Sequence, residues 1–317
     1  MATTTSVTTT FAGERDEELK YVSSALYGGE TLSAGLFNIK ERIKKTRVLK
    51  TLSVTGTIIK ARTTLFTPTG TVTVGERELT PKYLEVNIQL TKSDFEDDWD
   101  SPQMGDSAFK TLPNDLSQAF VLELVNIVAQ SLENQLWNGA DGVNELNGIM
   151  TRAKADAAIP ADQKITNATS TTSNIITELA KVVSGIPAGV RSKRDVVVCI
   201  SNNMKYNYID ALGGFASGGQ GGNGVAGQGT MWYNEGNSLS FRGVELQGVF
   251  GLNDNTAFAF EKSKIMFGTD LQGDYTEVKL LDQSEVNGDD VVNCIMKFSG
   301  DTNYVLSSDV VYYGPTS

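Results

Sequence analysis

Apolar residues recur at three- and four-residue spacing through Val121, Leu124, Val125, Val128, Leu132 and Leu136, while Glu123, Asn126, Gln130 and Glu133 fill the opposite stripe. This period predicts an amphipathic helix over residues 113–138 with those six apolar side chains as its core face. Pro113 suits the first turn, where no N–H is needed, and Asn114 and Asp115 favour its positive end. Asn138-Gly139 tolerates positive φ and is expected to stop the helix.

Before this helix the period is two. Leu52 and Val54 alternate with Thr51, Ser53 and Thr55, and Val72, Val74, Leu84, Val86, Ile88 and Leu90 continue the pattern. Gly56, Pro68-Thr69-Gly70 and Thr80-Pro81 punctuate it. Thr- and Val-rich alternation with few bulky groups over Thr51–Thr91 predicts a long, thin β-excursion. A two-stranded ribbon of this kind is marginal unless it packs on something.

After the helix the pattern becomes mixed. SNIITELAKVV is amphipathic, with Ile175, Ile176, Leu179, Val182 and Val183 on one side. A basic turn follows, then Val196–Ile200, a continuous apolar run suited to a central strand. Ser201-Asn202-Asn203 offers a cap for the helix MKYNYIDAL. Leu239, Phe241, Val244, Leu246 and Val249 fall in short strands around Gly243 and Gly248, and further strands are predicted at AFAFEKSKIMFGTDL, YTEVKLL, Val291–Phe298 and Tyr304–Tyr313. Hairpins early, helices in the middle and strands late indicate an α+β chain.

Residues 1–36 are rich in Thr and Ser and carry too little apolar surface to fold alone, so they read as an arm that needs a neighbour. Residues 37–49 form a basic linker. The run KERIKKTRVLK gathers Lys40, Arg42, Lys44, Lys45, Arg47 and Lys50. Three readings stay open for it: a solvated face, pairing with acidic groups of a neighbouring subunit, or contact with packaged nucleic acid through its phosphates. SDFEDDWDS clusters five carboxylates but lacks the order of a calcium loop, and reads as an acidic surface turn.

The tract GGFASGGQGGNGVAGQGT, residues 213–230, contains Gly213, Gly214, Gly221, Gly224 and Gly229. Its formal GxGxxG follows a helix, opens none and has no Lys-Ser/Thr ending, so a flexible loop is expected instead of a nucleotide site.

Composition narrows the chemistry. The chain has 317 residues, 40% hydrophobic and 21% charged, enough for a real core. A net charge of −11 argues against non-specific nucleic-acid binding by the surface as a whole. There is no histidine, which removes Ser-His-Asp and Cys-His catalysis and the commonest metal ligand. Cys199 and Cys294 each sit in an apolar run and read as buried free thiols. No run is long enough to cross a bilayer and the first residues lack signal-peptide character, so a cytoplasmic setting and no membrane partner are expected. No cofactor and no metal are expected.

The order of elements resembles the major capsid proteins of tailed bacteriophages, the Hong Kong 97-type capsid fold. The local likeness lies in Glu133-x-x-Leu136-Trp137-Asn138-Gly139 followed by Leu146-Asn147-Gly148-Ile149-Met150, in VVVCISNNMKYNYIDALGG, and in FRGVELQGVFGL leading to KSKIMFGTDL. The resemblance implies an N-terminal arm at 1–36 and an extended β-loop at 50–82. It implies a peripheral domain at 83–139 containing the spine helix, and an axial domain at 140–255 with its glycine loop at 213–230. The C-terminal strands at 256–317 would complete both domains.

It further implies a structural subunit with no catalytic residue, assembling with itself into hexamers and pentamers of an icosahedral head around double-stranded DNA. Portal, scaffold and decoration proteins are its implied further partners. The virion is its implied destination, after assembly in the bacterial host's cytoplasm. Two alternatives stand beside this: the shell of an encapsulin-type bacterial nanocompartment, which shares the fold, and a carboxylate-based glycosidase.

Overall fold

The structure is a computed structural model that describes residues 30–56, 58–62, 68–92, 114–213, 239–270, 279–285 and 288–315; at 30, 53, 55, 114–123, 125, 213, 282 and 285 it describes the backbone alone. In chain order the elements are α1 (Glu30–Ser33), β1 (Asn38–Lys40), β2 (Arg47–Thr55), β3 (Thr71–Leu79), β4 (Lys82–Thr91), α2 (Asn114–Asn138), α3 (Ile149–Ala155), β5 (Lys164–Thr166), α4 (Ile175–Gly185) and α5 (Ala188–Arg191). The chain continues with β6 (Val196–Ser201), α6 (Asn202–Gly213), β7 (Leu239–Phe241), β8 (Val244–Val249), β9 (Ala257–Glu261), β10 (Ile265–Gly268), β11 (Lys279–Asp282), β12 (Val291–Tyr304) and β13 (Val311–Gly314).

Three sheets form. One has six strands in the order β5-β13-β9-β6-β8-β7; a second joins β1, β10, β12 and β11, with β4 along β12; the third is the pair β2-β3. β6 lies between β8, parallel, and β9, antiparallel. All six residues of β6 are buried, as its unbroken apolar run predicts. Its side chains alternate between two cores. Val196, Val198 and Ile200 face α4 and α6, where Leu179, Val182, Val183, Met204 and Tyr208 pack. Val197 and Cys199 face the other way, onto Trp137, Phe37, Phe258 and Phe260.

That second core is shared with the five-stranded sheet through Ile265, Phe267, Cys294, Met296 and Tyr304, and α2 runs along it. Leu124, Leu132 and Leu136 are buried and Val128 is packed against the same core. The side chains of Val121 and Val125 lie outside the described residues. Both cysteines are free and buried.

Several details depart from the sequence reading. Glu133, assigned to the polar stripe of α2, is 3% exposed and faces the core. Gly139 does not take positive φ; Asp141 does, at 63°. The need for glycine at 139 is steric, since a Cβ there would stand 2.1 Å from the Leu146 carbonyl oxygen. Ile176 is 47% exposed, and Glu178 takes the inward place, accepting a hydrogen bond from the Tyr313 hydroxyl at 2.9 Å. Asn202 and Asn203 belong to α6 itself, and Ser201 Oγ donates to Asn203 Oδ1 at 2.7 Å. β12 runs unbroken from Val291 to Tyr304 through Gly300, where two strands with a gap were expected. Gly213 ends α6, so the glycine tract begins one residue later than expected; Gly214, Gly221, Gly224 and Gly229 lie outside the described residues, as does the acidic run at 93–101.

Candidate inter-subunit surface

β2 and β3 pair along their whole length, from Arg47 opposite Leu79 to Thr55 opposite Thr71. Neither pairs with a strand of the other two sheets. Directly opposed residues share a face, and successive residues alternate. Arg77 and Leu79 therefore lie on one face, while Val48, Lys50, Leu52 and Val54 lie on the other with Glu78, Glu76, Val74 and Val72.

The outer part of that second face is apolar and open. Leu52 is 69% exposed, Val54 49%, Val72 62% and Val74 61%, and beyond them Ile58 and Ile59 are also exposed. Covering such side chains is worth about 1.5–3 kcal/mol each when burial is complete. Among the described residues nothing covers them.

The root of the ribbon is well held. Leu79 is fully buried. Thr80 N–H donates to Asp301 Oδ2 at 2.8 Å, and Asn303 Nδ2 donates to the Glu78 carbonyl at 2.7 Å. Arg77 bonds Asp156 and Ser307 and lies 4.5 Å over the ring of Tyr304. Burial by itself would push the Asp156 carboxyl up; hydrogen bonds from Tyr304 and the Ala158 N–H, with the Arg77 guanidinium beside it, hold it down at about 2. Asp301 is buried, and that burial raises its carboxyl above the usual range despite Arg152 and the Thr80 N–H.

A second anchor fixes the leading segment. Glu133 accepts from Thr31 N–H at 3.3 Å and from the Thr31 hydroxyl, and Trp137 Nε1 donates to Thr31 Oγ1 at 2.7 Å. Leu32, Leu36 and Phe37 are buried beside it. Residues 31–36, assigned to an arm that needs a neighbour, are thus held, with Phe37 of the linker, by the chain's own core; residues 1–29 lie outside the described residues.

The basic run is spread out. Lys40 ends β1, Arg42, Lys44 and Lys45 are exposed in the link to β2, and Arg47 and Lys50 fall on opposite faces of the ribbon. Among the described residues no group of His, Cys, Asp and Glu has the arrangement of a metal site, and no helix is long and apolar enough to cross a membrane.

The whole architecture matches solved capsids. The capsid of a native GTA particle superposes with a TM-score of 0.59 at 11% identity, covering 93% of this chain and 91% of that one. A structure from Mycobacterium phage Cain gives 0.56 at 16% identity over 90% of each chain. The procapsid of satellite phage P4, a particle that includes its size determination protein, gives 0.55 at 8% identity, covering 93% of this chain and 99% of that one.

The chain has the Hong Kong 97 capsid fold.

No family model and no curated protein matches the sequence. The Hong Kong 97 fold is therefore carried here by geometry that survives at 8–16% identity. The residues that reading the sequence missed are those at the ribbon root: Arg77, Arg152, Asp156, Asp301 and Tyr304. They are scattered over more than 200 positions and no local spacing links them.

Proposed function

We propose that this chain is a major capsid protein, a structural subunit that assembles with itself into hexamers and pentamers of an icosahedral phage head enclosing double-stranded DNA. The observation that carries this reading is the ribbon, whose outer apolar face has no cover among the described residues. A head-to-tail contact that buries such a face on the next copy repeats around a rotation axis and closes into rings. Each copy both gives a ribbon and receives one, so contacts multiply with assembly. The capsid fold supports the same reading.

Portal, scaffold and decoration proteins are further partners under this proposal. The exposed Lys44 and Lys45 suit either acidic groups of a neighbour or DNA phosphates. The virion is the proposed destination, with assembly in the host cytoplasm, and the role is structural, not catalytic.

Light scattering on the purified chain tests the proposal. A 34.2 kDa subunit that assembles will give particles of megadalton mass at raised protein or salt concentration. A chain that stays monomeric under every condition would overturn it.

A further inference from the structure

The ribbon leaves the five-stranded sheet at Thr80-Pro81, between β3 and β4. What fixes its direction is a bracket formed by α3 and β12. Arg152, in the last turn of α3, bonds Asp301 Oδ1 at 2.5 Å, and the other oxygen of Asp301 receives the Thr80 N–H. Asp156, four residues on, caps the end of α3 by donating its N–H to the Arg152 carbonyl. Its Oδ2 receives Arg77 at 2.5 Å, the Tyr304 hydroxyl at 2.5 Å and Ser307 Oγ at 3.1 Å. Asn303 holds the Glu78 carbonyl between these two points.

The charges alternate across the bracket. α3 offers a cation and then an anion; Asp301 of β12 and Arg77 of β3 complete the two pairs. Side-chain exposure is 24% for Arg77, 15% for Asp156, 22% for Arg152 and 3% for Asp301. The pairs are thus shielded from solvent far more than ordinary surface ion pairs, which contribute little. The Arg77 guanidinium carbon also lies 4.5 Å from the centroid of the Tyr304 ring, so one planar group meets the ring while its N–H groups bond Asp156 and Ser307, more than a single ammonium offers.

We infer that Arg77–Asp156 and Arg152–Asp301 are a paired clamp that sets the angle at which the ribbon projects. The geometry has leverage. Nine residues of β3 extend about 30 Å at about 3.4 Å per residue. A 10° swing at the root therefore moves the far end by about 5 Å, close to the spacing of neighbouring strands. A loosened root loses the register in which the ribbon lands, whatever the ribbon itself contributes. Arg77, Asp156, Arg152 and Asp301 are positioning residues in this sense. Their consequence for shell shape rests on the proposed capsid role, while the angle itself belongs to the single chain.

Pulsed electron-spin distance measurement tests the clamp on the unassembled full chain. Thr71→Cys at the outer end of β3 and Thr177→Cys on α4 are both exposed positions. The native Cys199 and Cys294 are buried, so labels go to the introduced thiols. The clamp predicts one narrow distance in the parent, at least doubled width in Arg77→Met, and an intermediate width in Arg77→Lys. Equal widths in all three would overturn it. If Arg77→Met does not fold, Ser307→Ala, which removes one partner of Arg77 and one of Asp156, must broaden the distribution, and an unchanged width again overturns it.

Electron microscopy of particles provides the second readout. The parent should give one diameter and Arg77→Met a spread of diameters or open sheets. One shared diameter would show that the angle has no bearing on the shell. A parent that forms no particle defeats the capsid proposal, and the distance measurement still decides the clamp.

Discussion

Glu133 and Trp137 stand one turn apart on α2 and share a partner: the Trp137 indole N–H lies 2.7 Å from Thr31 Oγ1 and 3.3 Å from Glu133 Oε1. A carboxylate on the core side of a helix is costly unless hydrogen-bonded. Here two of its donors, the N–H and hydroxyl of Thr31, come from a segment about 100 residues earlier in the chain, so the carboxylate ties the leading segment to the long helix.

Removing it should loosen that segment. Glu133→Ala leaves the Thr31 N–H and hydroxyl without their acceptor, and should lower stability by about 3 kcal/mol. Denaturant unfolding measures this. Limited proteolysis should show new cleavage near residues 31–37. Unchanged protection there would remove the anchoring role.

The turn after α2 should tolerate no side chain at two positions. A Cβ at Gly139 would stand 2.1 Å from the Leu146 carbonyl oxygen, and one at Gly148 would stand 2.4 Å from the Gly139 nitrogen. These are backbone collisions that no rotamer relieves. Gly139→Ala and Gly148→Ala should each destabilise by about 3 kcal/mol or more. Gly142→Ala, with nothing within 4 Å of its added atom, should change stability by less than about 0.5 kcal/mol. Thermal melts of the three variants check the contrast.

The ribbon's outer face should matter to assembly and not to folding. Leu52→Ser with Val74→Ser changes side chains that are 69% and 61% exposed. The unfolding midpoint of the unassembled chain should move by no more than the equivalent of about 0.5 kcal/mol. The yield of particles should fall at least tenfold. Equal loss of both would mean that the face is covered within the chain.

Asp156 should write itself into the acid limb of stability. Its carboxyl is held at about 2 in the fold against an ordinary 3.8. A depressed carboxylate stabilises the fold above its unfolded value, and that contribution is lost as pH falls from about 4 through about 2. The amount is about 2 kcal/mol. Asp301 works in the opposite sense: its raised value means that burying the charge opposes folding near neutral pH, an opposition lifted on protonation. Melting temperatures from pH 5 to 2 should fall more steeply in the parent than in Asp156→Asn. Parallel curves would contradict the assignment.

Much of this was legible in the sequence. The period-3.6 stripe located α2, the unbroken run at Val196–Ile200 marked a strand buried on both sides, and period two located the strands β2, β3 and β4, though not that β4 leaves the ribbon to pair with β12. What failed has physical reasons. Glu133 counts as polar in any periodicity, and only the tertiary contact with Thr31 shows why it faces inward. Ile176, expected on the apolar side, is exposed, and Glu178 turns inward where the Tyr313 hydroxyl supplies a buried partner from 135 residues away. The glycine at 139 was rightly singled out, but for a conformational reason where the real one is lack of room. The clamp was invisible because ion pairs between distant segments leave no local pattern. The basic run was visible, but strand alternation sends its Arg47 and Lys50 to opposite faces of the ribbon.

Electron cryomicroscopy of assembled particles, resolved at the ribbon, tests the central claim most directly. In such particles Leu52, Val54, Val72 and Val74 will be covered by a neighbouring copy of the same chain. Particles in which those four side chains remain open to solvent, or a purified chain that never forms particles, would contradict it.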